Sequence, residues 1–202
     1  MYHALIGNRA EAPFSKCSAV SPNDGKASAV DMDVLHKPVM VAEVLRALGV
    51  VPGGTYIDCT VGEGGHAEAI LNAACPPPRL LGLDLDIVAL DTAGHRLERF
   101  GERVSLVHGN YTRLGSTARE LGLGPISGIL MDLGISSLQL GNDERGFSFA
   151  RTGILDMRFD ARQGLTADTV VNGWSEQELA NAIYQFGEEP ASRRIARAIV
   201  LA

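Results

Sequence analysis

An α/β fold built on a parallel sheet is predicted from three observations. Between residues 55 and 132, short apolar runs alternate with helical patterns of about ten residues. The stretch "YIDCTVGEGGHAEAIL", residues 56–71, passes from β-rich residues through a turn with three glycines, Gly62, Gly64 and Gly65, into an alanine-rich helical pattern. An acid, Asp84, closes the next apolar run, 22 residues after Gly62. Strand, glycine turn and helix in that order is how α/β proteins hold nucleotide-like cofactors.

The elements are taken in order. Residues 1–35 mix Ser, Pro, Asn, Gly and Ala without period and are read as a disordered extension. Met32 precedes the first patterned segment, so a chain begun there is expected to melt at the same temperature as the whole. A helix runs through "VMVAEVLRALGV", with Val41, Val44, Leu45 and Leu48 on one face, and "VPGG" at 51–54 stops it. Strands are predicted at 55–59, 80–84, 104–108 and 128–132, with helices at about 65–74, 87–99 and 112–121. That alternation specifies βαβ units and a parallel sheet. After residue 140 the run "NDERGFSFARTGILDMRFDARQG" carries no period. "SEQELANAIYQFG" opens on a capping box, Ser175 with Glu178, and ends at Gly187. A last helix, "PASRRIARAIVLA", reaches the end of the chain with no C-cap. It reads as cut, and Ile195, Ile199 and Val200 are expected to lack a partner.

Composition narrows the classes. With 202 residues, 46% hydrophobic and 21% charged, the chain is long enough for one sizeable core and part of a second. No apolar run approaches the roughly 20 residues that cross a membrane. The first 35 residues hold no continuous apolar stretch of the kind a secretory signal needs. The three cysteines, Cys17, Cys59 and Cys75, show no paired metal spacing and read as reduced thiols of a cytoplasmic protein. A net charge of −6 counts mildly against a nucleic-acid binder but leaves room for an enzyme that touches RNA at one site.

Two cofactor classes fit the glycine turn. A dinucleotide sets its pyrophosphate on the helix N-terminus and tolerates no anion nearby. S-adenosylmethionine has no phosphate and carries an ammonium, which suits the acids flanking the turn, Asp58 and Glu63. The acids favour S-adenosylmethionine. Asp84 stands where a carboxylate accepts from both ribose hydroxyls. Asp132, in "LMDLGISS", lies at the carboxyl edge of the sheet, where it can accept from a substrate amine or cap the next segment. Tyr111 can stack on an adenine ring or serve as a packing residue. His66 opens a helix with no second histidine at metal spacing, so no metal is expected. Arg193, Arg194 and Arg197 suit phosphates or, more commonly, a solvated helix face.

The runs "HKPVM", "YIDCTVGEGGH", "LLGLDLD", "MDLGISSLQL", "ERGFSF", "LDMRFD" and "FGEE…RIARAIV" occur in one order. Together they resemble the ribosomal RNA small-subunit methyltransferase H family, once called MraW, over about residues 36–200. The resemblance implies a Rossmann-like S-adenosylmethionine-dependent methyltransferase fold with a helical insert after the fourth strand. Residues 36–140 would form the N-terminal part of the methyltransferase domain, and 141–202 the linking loop and the start of the insert, both incomplete here. It implies methyl transfer to N4 of a cytidine in the decoding region of 16S rRNA in the small ribosomal subunit. It places Gly64, Gly65, His66, Asp84, Tyr111, Asp132 and Gln139 at the cofactor, with Asp132 also catalytic. Leu138 stands where the family often has proline, and Gly141 where it often has an acid.

Family members continue for roughly another hundred residues. A runner-up reading is therefore a fragment that holds S-adenosylmethionine and catalyses nothing. A nicotinamide-dependent dehydrogenase is disfavoured by the acids at the turn.

Overall fold

The computed structural model describes residues 3–7, by their backbone, together with 38–150 and 152–202. It divides into two compact units, Met1–Gly134 and Ile135–Ala202, a division earlier than the expected boundary at 140. The helix that Ser136 caps belongs to the second unit, which moves the boundary back.

The first unit holds β1 (His3–Gly7), α1 (Val41–Leu48), β2 (Thr55–Asp58), α2 (Gly65–Asn72), β3 (Arg79–Asp84), α3 (Ile87–Leu97), β4 (Val104–His108), α4 (Leu114–Glu120) and β5 (Gly128–Asp132). The sheet order is β1-β5-β2-β3-β4. β2, β3, β4 and β5 are parallel, with Asp58 level with Gly82 and Leu130, and Asp84 level with His108. The chain steps outward from β2 through β3 to β4, then crosses back to lay β5 on the other side of β2. That reversal opens a crevice at the carboxyl ends of the strands, where open α/β sheets take ligands.

Period-two alternation along each strand feeds two cores. Tyr56, Leu80 and Leu130 pack with Val44, Leu48, Ile70, Leu71, Leu90 and Leu97 on the face covered by α1, α2 and α3. Ile57, Cys59, Leu81 and Leu83 pack with Ala118, Leu114 and Ile129 on the α4 face. Burial on both faces explains why the strands read as continuous apolar runs. Tyr56 also ties α1 to the sheet: its hydroxyl accepts from Val51 N–H at 2.9 Å and donates to the Gly49 carbonyl at 3.4 Å.

Three expectations are corrected. Residues 1–35 are not wholly without regular structure, because β1 pairs antiparallel with β5, His3 opposite Asp132 and Gly7 opposite Gly128. The rest of that segment lies outside the described residues. Cys75 is disulfide-bonded, while Cys59 is free and buried. The third concerns the last helix, in the second unit.

That unit contains α5 (Ser137–Gly141), α6 (Ala167–Gly173), α7 (Glu176–Gly187) and α8 (Ser192–Val200). α8 has a partner in α7: Leu179, Ala180 and Ala196 are buried together, with Val170, Trp174, Ile183 and Ile199 against them. Ile195 and Val200 do remain exposed. The capping box of α7 is present as read, Ser175 Oγ accepting from Glu178 N–H. The aperiodic run before α6 is irregular but fixed. Arg145 donates to the Arg158 and Phe159 carbonyls at 3.0 and 3.1 Å, Arg158 pairs with Asp156 at 2.7 Å, and the Phe147 and Phe159 rings lie 5.2 Å apart. Gly146 sits at φ +68° with the Ile154 carbonyl where a Cβ would project.

These contacts make two changes costly. Gly146→Ala must find both a left-handed backbone and room it lacks, and should destabilise the second unit by about 1–3 kcal/mol, read by urea denaturation. A chain begun at Met32 loses the β1 ladder. It should melt a few degrees below the whole chain by calorimetry, at about 2–4 °C for each kcal/mol lost.

Candidate functional site

Three of the four parallel strands end in aspartate: Asp58 on β2, Asp84 on β3 and Asp132 on β5. Because the strands are parallel, all three carboxylates lie at one edge of the sheet. The backbone leaving β2 is shared between both neighbours. Cys59 N–H donates to the Leu130 carbonyl at 2.9 Å and Val61 N–H to the Leu83 carbonyl at 3.0 Å. Asp58 Oδ1 accepts from Thr60 N–H at 3.1 Å, the i to i+2 bond that starts a tight turn. Thr60 Oγ1 in turn accepts from Asp132 N–H at 2.8 Å.

The three glycines have different work. Gly62, at φ +51°, gives its N–H to Asp84 Oδ2 at 2.8 Å, and the nearest atom to a Cβ built there is 3.9 Å away. This is the open side of the turn. Gly64 is the residue before α2, left-handed at φ +81°, and a Cβ there would meet Ala93 and Leu97 of α3 at 3.3 and 3.4 Å. On Gly65 a Cβ would press against Pro38 at 3.0 Å. The last two are needed for close packing of α2, one of the established uses of glycine in such turns.

Asp84 is half-buried and accepts twice from backbone, from Gly62 and, on Oδ1, from Asp86 N–H at 2.9 Å. Burial raises its carboxyl above the ordinary range, and these bonds oppose the rise. His108, at the end of β4, donates from Nε2 to the Leu85 carbonyl at 2.9 Å. Tyr111 comes next on a short 3-10 turn, exposed, with Asn110 capping Thr112 N–H. His66, the second residue of α2, is buried, and its Nε2 stands 3.8 Å from Asp132 Oδ2. Gln139 lies in the second unit, inside α5, where its Oε1 accepts from Ser136 N–H at 3.1 Å in a capping box.

Among the seven residues read from the sequence, the first unit thus gathers Gly64, Gly65, His66, Asp84 and Asp132 around one turn. Thr60 was not singled out, although its D-x-T spacing from Asp58 is the mark of such a turn. A cavity of about 520 Å³ lies elsewhere, between α3 and β4 and lined by Leu90, His95, Leu106 and His108, and none of the seven lines it. Among the described residues no group of three or more His, Cys, Asp or Glu is arranged to hold a metal ion. Among them also, no helix is long and apolar enough to cross a membrane.

Burial dominates the electrostatics of this edge. Asp58 is 1% exposed, and its carboxyl is pushed up to about 7 by burial first, then by the charges of Asp84 and Asp132, against the lowering bond from Thr60. An unfolded aspartate titrates near ~3.9. Between these values the folded chain holds a proton that the unfolded chain has lost, so stability falls as pH rises from about 4 to 7. Above 7 the buried charge costs on the order of 4 kcal/mol at ~1.4 kcal/mol per unit. Asp58→Asn keeps an acceptor for Thr60 N–H and removes the charge. Urea midpoints at pH 5 and pH 8 should differ less in that variant than in the parent, with the gain at pH 8. Equal pH dependence in the two chains would contradict the assignment.

Residues 33–202 match the model of the MraW methylase family. The chain is 52% identical over 167 residues to a ribosomal RNA small subunit methyltransferase H from Symbiobacterium thermophilum, covering 83% of this chain and 52% of that protein. It is 49% identical over 164 residues to a protein of the same name from Dehalococcoides mccartyi, covering 81% and 47%. A third, from Geobacter sulfurreducens, is 47% identical over 171 residues, covering 85% and 55%. The chain spans about half the length of the curated relatives it matches. A SAM-dependent O-methyltransferase structure from Thermotoga maritima overlaps 39% of this chain and 31% of its own at 20% identity, with a TM-score of 0.35. At that score the overlap adds nothing to the description of the fold. With 170 consecutive residues under the family model (33–202), the chain belongs to the MraW methylase family.

Proposed function

We propose that this chain carries the cofactor-holding and acceptor-reading part of an S-adenosylmethionine-dependent methyltransferase. Its substrate on this reading is N4 of a cytidine in the decoding region of 16S rRNA, within the small ribosomal subunit, in the cytoplasm. The observation that supports it best is the family match together with three carboxylates around a turn whose open side is Gly62.

The residues present fit that cofactor better than a phosphate-bearing one. A buried, crowded acid such as Asp58 is relieved by a nearby cation and further burdened by an anion. The ammonium of S-adenosylmethionine is such a cation; a pyrophosphate is the opposite. Asp84 retains lone pairs beyond those taken by Gly62 and Asp86, and these would accept ribose hydroxyls. Gly64, Gly65, His66 and Gln139 are carried to the cofactor by family resemblance, and Tyr111 would lie along the adenine. When bound, the cofactor supplies an electrophilic sulfonium methyl.

The protein's own contribution is placement and one proton. Cytosine's exocyclic amine is a weak nucleophile because its lone pair is delocalised into the ring. Asp132, whose side chain keeps 27% of its surface exposed, accepts N4–H, returns the pair to nitrogen, and passes the proton to water. Holding the reactants in line supplies much of the remaining acceleration. The target base must leave its stack to reach such a pocket.

The exposed Tyr184 and Phe186 on α7, and Leu201 after α8, favour a second reading, cofactor binding without transfer. Two measurements separate the readings. Calorimetry should detect S-adenosylmethionine binding, weakened by about 10- to 100-fold in Asp84→Ala from the loss of bonds to a charged acceptor. Radiolabelled methyl should enter small subunits lacking the modification, and Asp132→Asn should slow this by about 10²- to 10⁴-fold. Binding without transfer selects the second reading; no binding removes both.

A further inference from the structure

The second unit treats its arginines in two ways. Arg158 pairs with Asp156 and Arg162 with Asp160, each at 2.7 Å, and Arg145 donates to the Arg158 and Phe159 carbonyls. On α8 the case is different. Ser192 and Ala196 are buried, while Arg193, Arg194 and Arg197 are exposed. Among the described residues, none of these three side chains has a hydrogen-bond or ion-pair partner. Arg193 and Arg197 stand beside the buried seam one turn apart, about 6 Å along the axis, and Arg194 lies across the helix from it.

Helix stability does not account for this arrangement. Arg193 and Arg194 occupy the first turn, where the helix dipole is positive and cations are unfavourable. Arg193 and Arg197 are a like-charge pair at i and i+4, which also costs stability. A solvated face normally interleaves acids at that spacing, yet no Asp or Glu occurs from Pro190 to Ala202. Glu189, just before α8, is bound instead to the Ala191 N–H at 2.7 Å. Three cations thus stand together in a chain of net charge −6 and against the local dipole. An external anion would answer both costs. Guanidinium groups match phosphate in charge and in the planar pair of donors they present to it.

We propose that the arginine face of α8 is a docking surface for the phosphate backbone of RNA. It answers charge and spacing and is indifferent to base identity, since phosphate contacts position a nucleic acid without carrying sequence. The choice of RNA as partner rests on the substrate proposed above.

The test is binding, kept separate from transfer. The whole chain is titrated by fluorescence anisotropy against single-stranded RNAs of about 20 nucleotides, in two unrelated sequences, between about 50 and 200 mM salt. In Arg193→Gln/Arg197→Gln the slope of log K against log salt should become shallower by about 1.4, at roughly 0.7 per contact. Affinity at the lowest salt should fall roughly tenfold or more, equally for both sequences. Arg113→Gln/Arg119→Gln removes the same charge from exposed positions of the first unit and should leave the slope unchanged. Equal slopes in all three chains, or equal losses in the two variants, overturn the proposal, as does a parent chain that binds neither RNA. Because a like-charge pair is removed, the α8 variant should melt no lower than the parent. If it does melt lower, Arg193→Glu takes its place: an acid suits the first turn, and undiminished RNA binding there overturns the proposal. Transfer to small subunits is measured alongside. RNA binding through α8 without transfer counts against the function proposed above and leaves this surface standing. Transfer in a chain whose α8 variant binds RNA as the parent does overturns the surface and leaves that function.

Discussion

Asp58 ends the strand at the middle of the sheet, so neighbours cover its carboxylate on both sides and it keeps 1% of its surface. A carboxylate in that position is stable only if something answers its charge, and the local answers are visible. Thr60 N–H bonds it, and the carboxyl titrates near 7 and so is substantially protonated around neutrality. The backbone then has to leave a fully paired strand end in a very short span. It does so by alternating bonds to Leu130 and Leu83 and by giving the Gly62 N–H to Asp84. The turn that faces the crevice thus begins at the one bond that answers the buried acid, and site and core meet at Asp58.

Much of this fold was legible because both faces of the sheet are covered. Strands buried on both sides are written as continuous apolar runs, and the four parallel strands lie within a residue of their expected ends. The elements that escaped have the opposite character. β1, "HALIG", is a five-residue edge strand held by backbone pairing to β5, and backbone pairing leaves little trace in side-chain pattern. α6 is a single seven-residue element after an irregular run, too short for a period to show. The partner of α8 was missed because small residues make the contact: Ala180 and Ala196 let the helices approach, and alanine does not announce an interface. The disulfide at Cys75 could not be read from spacing at all.

The site shows the same division. Asp84 was legible by its distance from Gly62, and the structure accounts for that distance with a direct bond between the two. The space that Gly64 and Gly65 clear is filled by Ala93, Leu97 and Pro38. Their being glycine is accounted for by packing, whatever the turn holds. Thr60 goes unread in the sequence and His66 is placed at the cofactor by resemblance alone, since what the two share is proximity to Asp132, about 70 residues away. Only the return crossover to β5 makes them neighbours.

An edge lined by Asp58, Asp84 and Asp132 has a chemical preference before any particular ligand is considered. It repels phosphate, whether of a dinucleotide or of an RNA backbone, and it accepts hydrogen from amines and hydroxyls. Positive charge in the second unit is placed differently: Arg193, Arg194 and Arg197 all lie on the exposed side of α8, away from buried Ala196. On the proposed reading the acids and these arginines have different tasks. A base amine has to be taken into an acidic crevice without its phosphates entering behind it, so contacts to the backbone of a nucleic acid must be made elsewhere than at the carboxylates that act on the base. A net charge of −6, which at first counted against nucleic acid, is then no objection, because the sum conceals where each sign lies.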